Sequence, residues 1–386
     1  MKRSVFLLLI MLVGGNVLSQ NKAKNTSLNG YLQSLEMVWM PPSTEKWFTM
    51  NTISNRLDFK WYPSEHFQTY VAMRNIASYG QIPFEFYPHM ADLSVKDNGK
   101  LNLTKSIVSD SSYYLYTNLD RFYVQYTSGK FEAIIGRQRI NWGVNLVWTP
   151  NDIFNSANYF DFDYAERAGS DAVLLQYYTG MTSSIQFAAK VDKDDKSTYA
   201  AMYKFNRWNY DFQILVGKMS DDLVIGAGWA GQIEGAGFLG EGTYFRDKEN
   251  FNDTTGVFVG SVSLNYTFKN SLMLQAAILY NSAGTTGNAG QQGMFALDLE
   301  ISAKNFSRAK FSTFLQASFP ITPLINASFS GMLNPNDKSG YFGPSIDISL
   351  TDNIGILLMS QLFVGKDQTE FGDYGSMFFT RLKWSF

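Results

Sequence analysis

The chain has 386 residues, with 32 Lys and Arg against 34 Asp and Glu, two histidines and no cysteine. A net charge of −2 excludes a basic nucleic-acid binder, the lack of thiols excludes a disulfide framework or a lipidated N-terminal cysteine, and two histidines leave little for a metal centre. Thirty-one Phe, 22 Tyr and 8 Trp beside 31 Gly and 10 Pro is the balance of a large β protein rather than a helical one.

The chain opens MKRSVFLLLIMLVGGNVLSQ, with a basic start at Lys2 and Arg3, an apolar run from Val5 to Val13 and small residues before a cleavage point after Ser19. The run is about half the ~20 apolar residues that a helical span needs, so residues 1–19 read as a cleavable export signal. Its removal takes the net charge from −2 to −4, because Lys2 and Arg3 go with it. Residues 20–386 carry no linker or low-complexity boundary and read as one domain.

From residue 27 onward apolar residues alternate with polar or small ones in segments of about ten, the period of a strand with two different faces. In NRLDFKWY, Leu57, Phe59 and Trp61 oppose Arg56, Asp58 and Lys60; in WNYDFQILVG, Trp208, Tyr210, Phe212, Ile214 and Val216 oppose Asn209, Asp211, Gln213 and Gly217. Segments of this kind start near 27, 48, 66, 117, 131, 171, 183, 198, 208, 222, 235, 256, 271, 310, 322, 339, 353 and 374, about 18 strands, with 16 as the alternative count. The joints sort by parity. Even-to-odd joints are short, as at Ser128-Gly129-Lys130 and Asn206-Arg207, while the odd-to-even joints include the long ones at 79–116, 139–170, 244–254 and 282–309. A soluble sandwich gives no reason for that asymmetry. A transmembrane antiparallel up-and-down β-barrel does, with short periplasmic turns and long extracellular loops.

The last ten residues are MFFTRLKWSF, in which Phe378, Leu382, Trp384 and Phe386 share one face. A final strand ending in Phe with apolar residues at alternate positions resembles the signal by which the barrel-assembly machinery recognises its substrates. The expected place of the protein is therefore the lipid bilayer of a Gram-negative outer membrane.

Alternation nominates the lumen side chains Glu36, Arg56, Asp58, Lys60, Arg74, Arg121, Lys190, Lys204, Asp211, Asp347, Arg381 and Lys383, in which basic residues outnumber acidic ones. Inward charge biases a pore by sign, so a mild anion preference is expected. The loop at 139–170 sets Asp161, Asp163 and Glu166 against Arg137, Arg139 and Arg167, and its length and aromatic density suit a pore constriction. Across the loop and the strand ends that flank it, GRQRINWG, PNDIFN and ERAGSDAV resemble the strand-loop-strand segment of the alginate-export and phosphate-selective porin families. The resemblance implies passive movement of small anionic or carbohydrate solutes, with Arg137, Gln138, Arg139 and Trp142 as the residues carried over. The chain lacks the dense run of inward arginines of a polyanion conduit.

Other functions find less support. His66 and His89 come with no Gly-x-Ser-x-Gly or His-Glu-x-x-His pattern, so no enzyme and no cofactor are expected. Asp192, Asp194 and Asp195 crowd one turn without the glycine and distal Glu of a calcium loop, so no metal site is expected. The rival reading is a non-conducting barrel that binds at the surface or serves a larger assembly, for which long loops, including GTTGNAGQQG at 284–293, would serve equally well. Whether copies associate into a homo-oligomer is left open.

Overall fold

The computed structural model describes residues 25–42, 44–252, 255–289 and 301–386; the export segment at 1–19 and residues 290–293 of the glycine-rich loop lie outside them. Strands β1 (Thr26–Met40), β2 (Phe48–Ser64), β3 (Phe67–Gly80), β4 (Thr104–Asp110), β5 (Tyr113–Ser128), β6 (Phe131–Gln138), β7 (Ser170–Tyr178), β8 (Ser184–Val191), β9 (Ser197–Arg207) and β10 (Tyr210–Met219) form the first half of the sheet. The second half is β11 (Asp222–Ile233), β12 (Ala236–Asp247), β13 (Val257–Thr267), β14 (Met273–Asn281), β15 (Phe311–Thr322), β16 (Ile325–Asn334), β17 (Ser339–Thr351), β18 (Ile354–Val364) and β19 (Ser376–Ser385). Two short helices, α1 (Gln81–Glu85) and α2 (His89–Ser94), lie between β3 and β4.

Every pairing between these strands is antiparallel. Wall neighbours are consecutive in sequence apart from β4, with β3 paired directly to β5, and β1 pairs with both β2 and β19, which closes the sheet. The result is an 18-stranded barrel with one extra strand. Strand β4 was not foreseen within the loop at 79–116. It pairs with the upper part of β5 (Thr104 opposite Asn118, Asp110 opposite Tyr113), where β6 no longer runs, because β6 has left the wall at Gln138. The two-residue turns Trp208-Asn209 and Glu234-Gly235 have φ of 55° and 61°, and of 51° and 83°, the mirror-type hairpin turns whose twist suits paired strands. The long connections all leave the opposite end.

The two faces differ as the alternation requires. Outward side chains such as Ile135, Ile214, Ile225, Ile278, Leu315 and Phe329 are exposed, whereas inward ones such as Met202, Leu215, Phe245, Val259 and Tyr341 are buried. A wall this wide encloses a lumen rather than a filled core, yet much of this lumen is packed. Ile140, Trp142, Val147, Trp148, Ile153 and Phe154 of the β6–β7 connection form one apolar cluster with inward residues of the wall from β7 to β18. Toward the short-turn end the inward side chains are polar and accessible, as at Asn206, Asp211 and Asp347.

One expected lumen residue faces the other way. Tyr31, Gln33, Leu35, Met37 and Trp39 are the buried, inward set of β1, so Glu36 falls on the outer face, where it is exposed. The expectation assumed that a charged residue of a barrel strand points inward; on β1 the pleat decides otherwise.

Candidate functional site: a loop folded into the lumen

Strand β6 stops after eight residues. Gly136, with φ 122°, brings it so close to β5 that a Cβ there would lie 2.2 Å from the Phe122 carbonyl oxygen. Two residues later the chain turns inward, and the connection 139–169 is tied to the inner wall along its whole course. Trp142, 1 % exposed, donates Nε1–H to Gln186 Oε1 (2.7 Å) and stands edge-on to Phe154, and its carbonyl accepts Gln213 Nε2–H (2.5 Å). Glu241 of β12 accepts the backbone N–H groups of Val144 and Asn145 (both 3.2 Å). Asn145 in turn reaches Ser261 O and accepts Ser263 Oγ–H (2.6 Å). Thr243 holds Asn151 Oδ1 at 2.7 Å, and Lys190 of β8 donates to Phe154 O.

Beyond Asn155 the chain crosses to the far wall. Tyr159 and Phe160 pack against Phe314, Tyr341 and Phe363, and Phe162 against Phe379. The return leg meets a charged wall. Gln33 Nε2 donates to both Asp163 oxygens (3.0 Å), with Arg381 Nη1 at 3.7 Å from the same carboxylate. Tyr164 OH donates to Asp120 Oδ2 (2.5 Å), while the Arg74 guanidinium lies 3.8 Å from the Tyr164 ring centre. Arg56, 1 % exposed, pairs with Asp120 and Asp58 (2.5 and 3.0 Å) and stands 3.9 Å from Glu166 Oε1. Arg121 donates to the carbonyls of Asp120, Glu166 and Arg167, and Arg167 to those of Asn158 and Asp161. Lys383 covers the Tyr31 ring at 3.9 Å, and Lys60 lies 5.2 Å from Tyr70.

The structure thus brings together Asp161, Asp163, Glu166 and Arg167 of the loop with Arg56, Asp58, Arg74, Arg121 and Arg381 of the wall. Lys204, inward on β9 two residues beyond the buried Met202, stands apart from them nearer the short-turn end. Most of these cations are spoken for. Arg139 is not: it is half-buried, and it makes no ion pair or hydrogen bond with any described residue. Burial pulls its guanidinium down from the usual range, with Asp152 pulling the other way. Asp152 is 2 % exposed, and burial pushes its carboxyl up to about 7, against Arg139 and the N–H of Trp142. Glu370, between β18 and β19, is likewise pushed up by burial to about 7 while accepting from Ser307 and Asn334.

Arg137 and Gln138 do not belong to this group. Arg137 pairs across the ladder with Phe122 and shares the outward face of Val124 and Ile135, so it points away from the lumen. There it is buried beneath the segment 97–101, with ion pairs to Asp97 and Asp171 (both 2.7 Å) and a bond to Leu101 O. Gln138 is inward but buried, donating to the carbonyls of Ile134 and Ala172. Sequence reading grouped Arg137 with Arg139 because they are two apart, but the strand ends between them and no longer holds Arg139 to the strand's alternation. It missed Asp120, Tyr164 and Glu241, and the bulge that sets Asp120 and Arg121 side by side leaves no mark in the alternation.

The remaining nominees have ordinary surroundings. His66 lies in the β2–β3 turn with Nδ1 2.9 Å from Thr127 O, and His89 opens α2. Asp192 Oδ1 accepts the N–H groups of Asp194 and Lys196, and Asp195 pairs with Lys100. Phe378, Leu382 and Phe386 are exposed on the outer wall beside the half-buried Trp384, whose ring lies 5.2 Å from that of Phe386.

No protein-family model matches the sequence, and no curated protein is similar to it. Solved structures do match. The chain is similar to OccD3 (OpdP) of Pseudomonas aeruginosa, at TM-score 0.59 and 9 % identity over 94 % of this chain and 91 % of that one. It is similar to OccK5 (OpdH) of the same organism at TM-score 0.59 and 9 % identity, covering 94 % and 98 %. OccAB1 of Acinetobacter baumannii matches at TM-score 0.57 and 11 % identity, covering 94 % and 97 %. At such identities the likeness is one of fold.

Proposed function

We propose that the protein is an outer-membrane channel through which small polar solutes diffuse, with a preference for anions set by the lumen loop. The proteins it matches in fold are outer-membrane porins. The observation that carries the reading is the loop itself: residues 139–169 fold inside an 18-stranded wall and narrow it beside a lower lumen that is polar. Arg139 makes no ion pair or hydrogen bond with any described residue, and Arg74, Lys383 and Lys60, each set against a tyrosine ring, add further positive groups to the passage. Uncommitted cations beside a narrow aqueous path favour anions. The phosphate or carbohydrate preference implied by the GRQRINWG segment is part of the proposal. So are export by the signal at 1–19, recognition of the Phe386 strand by the assembly machinery, and the lack of an enzymatic role.

Planar-bilayer recording tests it. The protein should open steps whose reversal potential in a salt gradient favours chloride, and Arg139→Glu should move that potential toward cation preference. A closed bilayer, with the fold intact, would sink the channel reading. The dense packing of Trp142, Trp148 and Phe160 favours the rival in that case, a non-conducting barrel whose loops bind at the surface.

A further inference from the structure

The outer wall is apolar around most of its circumference, but not over β1 to β5. One cross-strand row there runs Leu32, Asn55, Asn75, Thr117 and Lys105, each opposite the next on the adjoining strand. Leu32 is exposed on the outside, so the whole row faces outward. Asn75 donates to Asn55 Oδ1 (3.3 Å), Asn55 donates to the Tyr31 carbonyl (3.2 Å), and Thr117 Oγ1 has no partner among the described residues. Above the row, Glu36 is exposed opposite Asn51. At the same end, an apolar cleft of about 630 Å³ lies between β3, β4 and β5, lined by Ala77, Tyr79, Val108, Tyr113 and Leu115. Carboxamides and charges on a lipid-facing wall are unfavourable, since hydrocarbon offers them no hydrogen bond.

We propose that this face is covered by a second copy of the chain, related by a two-fold axis along the membrane normal through the Asn55–Asn75 pair. The charges choose the occupant. Glu36 lies on the β1 flank of the strip and Lys105 on the β4 flank, with the neutral amides between. When two copies face each other across such an axis, the β1 flank of one meets the β4 flank of the other. Each Glu36 then faces the partner copy's Lys105, twice over, and the amides meet near the axis, where each finds the hydrogen bonds that lipid withholds. The apolar cleft is covered by the same contact. This proposal rests on the outer wall alone and is independent of whether the lumen conducts.

The chain has no cysteine, so single cysteines report contacts cleanly. Asn75→Cys in outer membranes, treated with a short bis-maleimide cross-linker, should give a species of two identical chains at several times the yield of Ile278→Cys on the far wall. Adding Glu36→Lys to the Asn75→Cys chain should cut that yield several-fold, and adding Lys105→Glu as well should restore it, because the exchange repairs both contacts. The retained fold of each variant is read from its heat-sensitive gel mobility. A yield no higher than at Ile278 overturns the proposal and leaves polar lipid headgroups as the covering. Cross-links to a different protein overturn it in favour of a hetero-assembly, and a charge exchange that fails to restore the yield of folded protein overturns the two-fold arrangement.

Discussion

Two arginines two residues apart do opposite jobs. Arg137 is buried on the outside of the wall between Asp97 and Asp171, and Arg139 lies inside it with no ion pair to any described residue. Replacing Arg137 by Met should leave two carboxylates without their cation, a change that typically costs about 3–5 kcal/mol; the 95–103 segment should then exchange amide hydrogens faster, while ion selectivity stays unchanged. Selectivity shifting with Arg137→Met would place it in the conducting path after all. Asp97 gives the same contact a pH dependence. Although burial raises it, Arg137 and the N–H groups of Gly99 and Leu103 hold the carboxyl below its usual range, so its contribution is present at neutral pH and is lost as pH falls through the lowered value. Asp152 has the opposite sign. Its folded value of about 7 lies above the ordinary 3.8, so the folded loop binds the extra proton, and acidification from pH 7.5 to 5 should tighten it. Amide protection factors over 140–155, corrected for the intrinsic pH dependence of exchange, should rise across that range in the native protein and rise less in Asp152→Asn.

At the scale of the element, the β6–β7 connection behaves as a piece of core inserted into a tube. Its polar anchor is Glu241, which accepts two backbone N–H groups that have no other partner among the described residues. Glu241→Ala leaves both unsatisfied, at roughly 1–3 kcal/mol each, and channel recordings should become noisier and of larger mean conductance as the loop detaches. A quiet trace of native amplitude would mean that the apolar contacts of Trp142 and Trp148 hold the loop alone. The strands themselves were legible because a wall with an apolar outer face and a different inner face imposes a period of two, and starts read at 48, 131, 222 and 339 are the observed ones. Where the loop goes was not legible. Its path depends on partners such as Gln186, Glu241 and Asp120, tens to about a hundred residues away, which no local spacing reveals. Strand β4 was illegible for a related reason: TKSIVSD alternates only weakly and becomes a strand because β5 offers it an edge.

For the whole molecule, strand number, closure and the division into a short-turn end and a long-loop end all follow from one alternation rule repeated around the wall. Departures from that rule are the informative places. Glu36, Asn55, Asn75 and Lys105 break it on the outside, and the 139–169 loop breaks the barrel's emptiness on the inside. Both exceptions lie at or near the sector where β6 quits the wall and β4 takes its place beside β5. That substitution makes the upper half of β5 a berth filled by the segment that immediately precedes it in the chain. A protein lacking residues 104–110 would keep a closed ring below and a vacant berth above, with a row of unanswered N–H and C=O groups the length of a heptapeptide. A free peptide of sequence TKSIVSD should settle there and restore protease resistance to the loop around it. A scrambled peptide of the same composition should not, which would make this segment of wall a replaceable part.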